Sequence, residues 1–300
     1  MGIGNVTLHW LEVLHRQGVF ADKHSILELG PSDTNANFSV DVYSNFFSAV
    51  KGGYWSREIV KEMFFPDGQA NPWSMLWVYG ALGLDDYKAV DLHSGRANYR
   101  IDLNFPYRLD RKFNIIAEFG TIEHIFNIGN AMNFIHEHLD VGGISLHQVP
   151  TIGSYGHGFF NIHGTFFRDL ARANDYEVLS LVTIPDFQTQ DTLAAKYETL
   201  GDIFPRSTVM VDISRADMDD MDARFARTLM ERIQEASDLG VDGPQLIANP
   251  TPDSTDPIRP YWRHPPGPQP VESFIFAALR KVKDSPFVYP VQGLYADGCY

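Results

Sequence analysis

The chain has 300 residues, with 38 acidic side chains against 24 basic ones and a formal net charge of -14. That balance argues against a surface that tracks phosphates, whether on nucleic acid or on an anionic membrane, because both need clustered Lys and Arg. The single cysteine, Cys299, excludes an intrachain disulfide and a Cys-rich zinc site, and no apolar run approaches the ~20 residues of a membrane span.

A mass of 33.9 kDa is expected to bury roughly three quarters of the unfolded surface, enough for one large core. The first ten residues lack a basic region followed by a long apolar stretch, so no signal peptide is expected and a cytoplasmic location is.

In chain order, short apolar segments ending in Gly, Asp or Pro predict strands at 25–30, 87–92, 99–103, 113–118, 143–149, 176–182 and 272–279. Nearly continuous apolar strands fit a sheet covered on both faces. Helical spacing appears at 127–139, with Gly142 and Gly143 as a stop, and at 166–174 behind a capping Thr165. Strands alternating with helices predict a doubly wound α/β fold with a mostly parallel, Rossmann-like seven-stranded sheet.

Two stretches break the rhythm and read as insertions, a candidate lid or cap, within a single domain covering 1–300. The first, 31–86, carries aromatic-rich helical candidates at 42–65 and 73–82, with Phe46, Phe47, Trp55, Phe64, Phe65, Trp73 and Trp77 as core or lid packing. It is also the candidate homodimer interface. The second, 186–270, holds a candidate helix at 220–239 and a Pro-rich run from 250 to 270. Thirteen acids against six bases between 186 and 242 supply half of the net charge. The acidity therefore describes one segment more than the core, and the exclusion of nucleic acid is softer than the total suggests.

In an open parallel sheet, ligands bind off the carboxyl ends of the strands. The suspects there are Glu28, Gly30 and Asp33 after the first strand, Asp91 after the second, Asp102 after the third, and 118–124 after the fourth. A strand-end acid can accept hydrogen bonds from ribose hydroxyls, and a glycine lets the backbone approach a ligand. For Asp91 the alternative is a helix N-cap. The loop after the fifth strand contributes Tyr155 and His157.

Histidines are natural proton acceptors near neutral pH. His124, His157 and Glu123 are the candidate catalytic groups, with His163 and Tyr155 behind them. His147, His157 and His163, with Glu123 nearby in the expected fold, are of ligand type, but their spacing matches no compact metal motif and no metal is expected. His147 should point into the sheet. His136 and His138, on different faces of a helix, should be exposed.

Glu28-Leu29-Gly30, Val90-Asp91, Ile101-Asp102-Leu103-Asn104 and the run from Phe113 to His124 resemble the ordered motifs of class I S-adenosylmethionine-dependent methyltransferases. The stretch from Gly120 to Asn127, with His157 to Phe160 and Thr165 to Phe167, is similar to a small subgroup of that family. The resemblance covers about 24–183, with 271–282 as the final strand, which it implies runs antiparallel to the rest of the sheet. It implies that Glu28 and Gly30 lie under the methionine part of the cofactor and that Asp91 holds the ribose. It also implies that Asp102 and Leu103 flank the adenine, and that Phe119 and Gly120 face the transferring methyl. One departure stands out: the family's first loop carries three glycines, whereas Gly30-Pro31-Ser32-Asp33 has one, so contacts there would fall to Asp33 or Asn35. The implied activity is methyl transfer to a small-molecule or sugar-like acceptor. Two rivals remain. A nicotinamide-dependent oxidoreductase would want a Gly-x-Gly-x-x-Gly loop that is absent. A non-catalytic partner protein would have lost the cofactor.

Overall fold

The structure, a computed structural model, describes residues 3–33, 39–152, 157–186, 211–212 and 272–293. Its centre is one mixed sheet. The strands are β1 (Ser25–Leu29), β2 (Asp86–Asp91), β3 (Tyr99–Arg100), β4 (Phe113–Phe119), β5 (Leu139–Ile152), β6 (Tyr176–Asp186), β7 (Val211–Asp212) and β8 (Glu272–Lys281). They lie in the order β3-β2-β1-β4-β5-β8-β6-β7. β1, β2, β3, β4 and β5 run parallel, while β8 is antiparallel to both β5 and β6. This is the expected doubly wound, Rossmann-like sheet with its antiparallel last strand, and the two-residue β7 adds an eighth strand at the edge.

Alternation along the strands builds two cores. Ile26, Ile115, Ala117, Phe119, Ile144, Leu146, Phe276 and Ala278 face one side. Leu27, Leu29, Ile116, Val149, Leu181, Ile275, Ala277 and Leu279 face the other. Successive strand residues point to opposite faces, so a fully apolar strand must be covered twice. The first side is covered by α1 (Asn5–Arg16), α2 (Val40–Lys51), α3 (Arg57–Phe64) and α4 (Met75–Ala81). The second is covered by α5 (Ile128–His138) and α6 (Gly164–Asn174). Each large side chain buried there, such as Trp10, Phe46 or Phe167, contributes roughly 1.5–3 kcal/mol.

Several expectations are corrected. α1 was not foreseen; it docks through Leu8, Leu11 and Leu14, with Trp10 Nε1 donating to Ser180 Oγ at 3.0 Å. The candidate helix at 42–65 is two helices, the first stopping at Gly52 and the second capped by the Ser56 hydroxyl. Residues 40–81 form the layer over one sheet face, with Phe46, Phe47 and Phe64 in its core. Trp73 and Trp77 are instead about half exposed. β3 stops at Arg100, because Asp102 turns the chain by accepting from Asn104 N at 2.9 Å. His136 and His138 are buried, not exposed: the C-terminal end of α5 is covered by 285–287. His136 Nδ1 meets Tyr176 OH and its Nε2 meets Ser285 O, both at 2.6 Å. His138 Nε2 accepts from Leu109 N at 2.7 Å. The candidate helix at 220–239, the Pro-rich run, Asn35, Tyr155 and Cys299 lie outside the described residues.

Candidate active site

The parallel strands β1, β2 and β4 bring their carboxyl ends to one edge of the sheet. Leu29 pairs with Val90 and with Glu118, and Gly30 N donates to Val90 O at 2.8 Å. Gly30 and Asp91 are therefore neighbours across the sheet, well within the length of a nucleoside. Gly30 has φ +74°, and a Cβ there would lie 2.5 Å from Thr121 Oγ1. That hydroxyl in turn donates to Leu29 O at 2.6 Å. Only glycine satisfies both the left-handed backbone and the close approach. Asp91 Oδ1 accepts from His93 N and Ser94 N, each at 2.6 Å, and no hydrogen bond engages Oδ2 among the described residues.

The other candidate residues take up various positions around this edge. Asp102 Oδ1 accepts from the backbone and the side-chain nitrogen of Asn104, at 2.9 and 2.8 Å. Leu103 is buried, and its carbonyl accepts from Asn130 Nδ2 at 2.8 Å. Phe119 is buried in the core, and Gly120 N ties the end of β4 to Gln148 O at 2.9 Å. Asp33 is paired with Arg96 at 2.8 Å. Arg96 also donates to Pro31 O at 2.8 Å, Ser32 O at 3.0 Å and Pro72 O at 2.6 Å. It thus holds the single-glycine loop in place. Sequence reasoning missed it, because nothing local links Arg96 to a loop some sixty residues earlier.

Three glutamates near this edge are fully buried. Glu28 accepts from the hydroxyls of Tyr79 and Tyr87, the latter at 2.6 Å; burial nevertheless pushes its carboxyl above the ordinary range. Glu118 Oε1 meets His147 Nδ1 at 3.0 Å, and its Oε2 accepts from Thr121 N at 3.3 Å. Burial, reinforced by the nearby Glu123, raises the Glu118 pKa well above its usual value, and burial pushes His147 down to about 3. The two form a hydrogen-bonded pair inside the sheet, and His147 points where the sequence placed it.

Glu123 differs from both. It sits in a single 3-10 turn, Ile122–His124, directly after β4, and neither of its carboxylate oxygens has a hydrogen-bond partner. The segment after β5 folds onto this turn. Phe159 N donates to Glu123 O at 2.8 Å, and a Cβ on Gly158 would lie 2.8 Å from that same carbonyl oxygen. The glycine thus permits the approach that delivers His157. His157 Nε2 lies 3.5 Å from Glu123 Oε1 and His124 Nε2 lies 3.8 Å from it, with the two imidazole centroids 4.9 Å apart. Partial burial lowers the pKa of His124, so its imidazole is neutral at neutral pH. Both histidines reach solvent, beside an edge-to-face pair of exposed aromatics, Phe126 and Phe159. The three candidate catalytic groups are thus brought together. His163 is directed elsewhere, with Nδ1 3.3 Å from Thr151 Oγ1.

No family model matches the sequence, and no curated protein matches it. Solved structures do resemble it. A SAM-dependent methyltransferase from Archaeoglobus fulgidus is 8% identical, with 90% of this chain and 94% of that one covered and a TM-score of 0.38. The O-methyltransferase of a trans-AT PKS multienzyme from Brevibacillus brevis, in complex with S-adenosyl-L-homocysteine, is 10% identical, with coverage of 94% and 80% and a TM-score of 0.36. Streptomyces venezuelae DesVI is 12% identical, with 49% of this chain covered and a TM-score of 0.24; there the chain spans 57% of the other protein's length.

Proposed function

We propose that this protein is an S-adenosylmethionine-dependent methyltransferase with a small-molecule or sugar-like acceptor. The observation that carries the reading is the adjacency of Gly30 and Asp91 at the carboxyl edge of a doubly wound sheet, joined through the 2.8 Å bond from Gly30 N to Val90 O. The residues fit a nucleoside: Gly30 leaves its backbone open to close approach, and Asp91 keeps Oδ2 for a ribose diol. Glu28 would act from beneath this site, since both its oxygens already accept from tyrosine hydroxyls. Asp33 and Arg96 would set the position of the loop where the usual glycines are missing.

When bound, the cofactor would supply a methyl group already activated as a sulfonium. The protein's task is then chiefly to place a nucleophile in line with it. The acceptor belongs at the cluster beyond β4, where Glu123, His124 and His157 converge and Phe126 and Phe159 offer an apolar flank. An acceptor that must lose its proton can give it up at this cluster.

Calorimetric titration with S-adenosylmethionine and S-adenosylhomocysteine tests the reading. Micromolar binding that disappears in Asp91→Ala is expected. Failure of the folded protein to bind either compound overturns it.

A further inference from the structure

We infer that Glu123, His124 and His157 form a binding site for a divalent transition-metal ion of the zinc class. The sequence pointed away from this, because the two histidines lie 33 positions apart and no compact motif joins them. The fold brings the three ligand atoms within 4.8 Å of one another. Two imidazole nitrogens and one carboxylate oxygen are a donor set that suits zinc, cobalt, nickel or ferrous iron.

The geometry is that of ligands awaiting a centre, not of partners bonded to each other. Zinc binds nitrogen and oxygen at about 2.0–2.2 Å, which puts two ligands of a tetrahedral ion about 3.4 Å apart. The observed separations of 3.5 and 3.8 Å from Glu123 Oε1 match that spacing. Neither contact is a hydrogen bond, for both Glu123 oxygens and His157 Nε2 are buried without partners. A fully buried carboxylate with nothing to accept from is costly. Glu28 and Glu118, equally buried, have partners on both oxygens. A cation would satisfy Glu123 and both histidine nitrogens at once. Three protein ligands leave a further coordination position for water or an acceptor oxygen, as in catalytic zinc sites, and the partly exposed histidines place that opening on the solvent side.

The inference stands on the cluster and does not require methyl transfer. If both readings hold, the ion would orient an oxygen-bearing acceptor and acidify it, with the imidazoles serving as ligands.

The test is a zinc titration of the metal-stripped full chain by calorimetry, repeated with cobalt(II) and followed by visible absorption. One ion per chain is expected, with the cobalt spectrum of a four- or five-coordinate centre. His157→Ala, His124→Ala and Glu123→Gln should each weaken binding by about 100-fold or more, beyond the upper end of what second-shell changes cost. His157 lies in a partly exposed segment, so its variant keeps the test decisive even if a Glu123 variant folds poorly. The inference is overturned if the folded wild type binds no ion, or if His157→Ala binds as tightly as wild type. S-adenosylhomocysteine titrated into the same preparation separates the two readings, since its binding depends on Asp91 and not on this cluster.

Discussion

Glu118 near the end of β4 and Glu123 in the turn that follows it lie five residues apart, are equally buried, and have opposite surroundings. Glu118 points into the sheet and meets His147 at 3.0 Å and the backbone of the turn that follows. Glu123 points past the sheet edge into a space ringed by histidine nitrogens that do not bond to it. One carboxylate has been closed off by the fold and the other left open. The difference shows where burial serves packing and where it serves a ligand: a buried polar group that the fold leaves unsatisfied marks a place where something else completes it.

The largest expected effect comes from breaking the closed pair. Glu118→Leu removes the hydrogen-bond partner of buried His147 Nδ1 and the acceptor of part-buried Thr121 N. Leaving a buried polar group unpaired costs about 1–3 kcal/mol. With two groups affected, urea denaturation should show a loss of about 3 kcal/mol or more. A loss below about 1 kcal/mol would mean that Glu118 is not the structural partner the geometry makes it.

The same pair sets a pH signature. Burial raises the Glu118 pKa above its ordinary 4.5 and lowers that of His147 from 6.5 to about 3. The Glu118 contribution to stability is full below pH 4.5 and is lost as pH rises through the raised folded value. The His147 contribution is full above 6.5 and is lost as pH falls toward about 3. Denaturation midpoints across pH should show both arms in wild type. In Glu118→Gln the alkaline arm should vanish while the acid arm begins at 6.5. An alkaline arm that survives in the variant would assign it to another group.

The sheet was legible because its strands are short apolar runs ended by Gly, Asp or Pro, as at 25–30 and 113–118. What required the third dimension was who meets whom. His136 and His138 read as exposed because helical periodicity says nothing about what packs on a helix: 285–287 covers His136, and Leu109 N donates to His138. Arg96 carried no signal in the sequence, yet it fastens the loop at 31–33. Glu123, His124 and His157 were each legible as chemistry-bearing residues at strand ends. Their convergence was not, since it depends on Gly158 letting one backbone press against another. The two tyrosines that occupy Glu28 come from a helix and a strand more than fifty residues away, beyond the reach of any local pattern.

The smallest effect carries the sharpest sign. If Glu123 is open by construction, removing its charge from the metal-free protein should cost nothing and should help. Glu123→Gln keeps the shape, forfeits no hydrogen bond, because neither oxygen makes one, and replaces a buried carboxylate with a neutral amide. The metal-free variant should be more stable than wild type by about 1 kcal/mol in urea denaturation, on the scale of a single buried polar group. Glu118→Leu, at the closed site, should move the other way, because it leaves Thr121 N without its acceptor and His147 Nδ1 without its partner. Adding zinc should reverse the order for Glu123: wild type gains stability from an ion that binds only the folded chain, and the variant gains little. If Glu123→Gln destabilises the metal-free protein as Glu118→Leu does, the contrast between the two sites is lost and Glu123 is one more packed carboxylate.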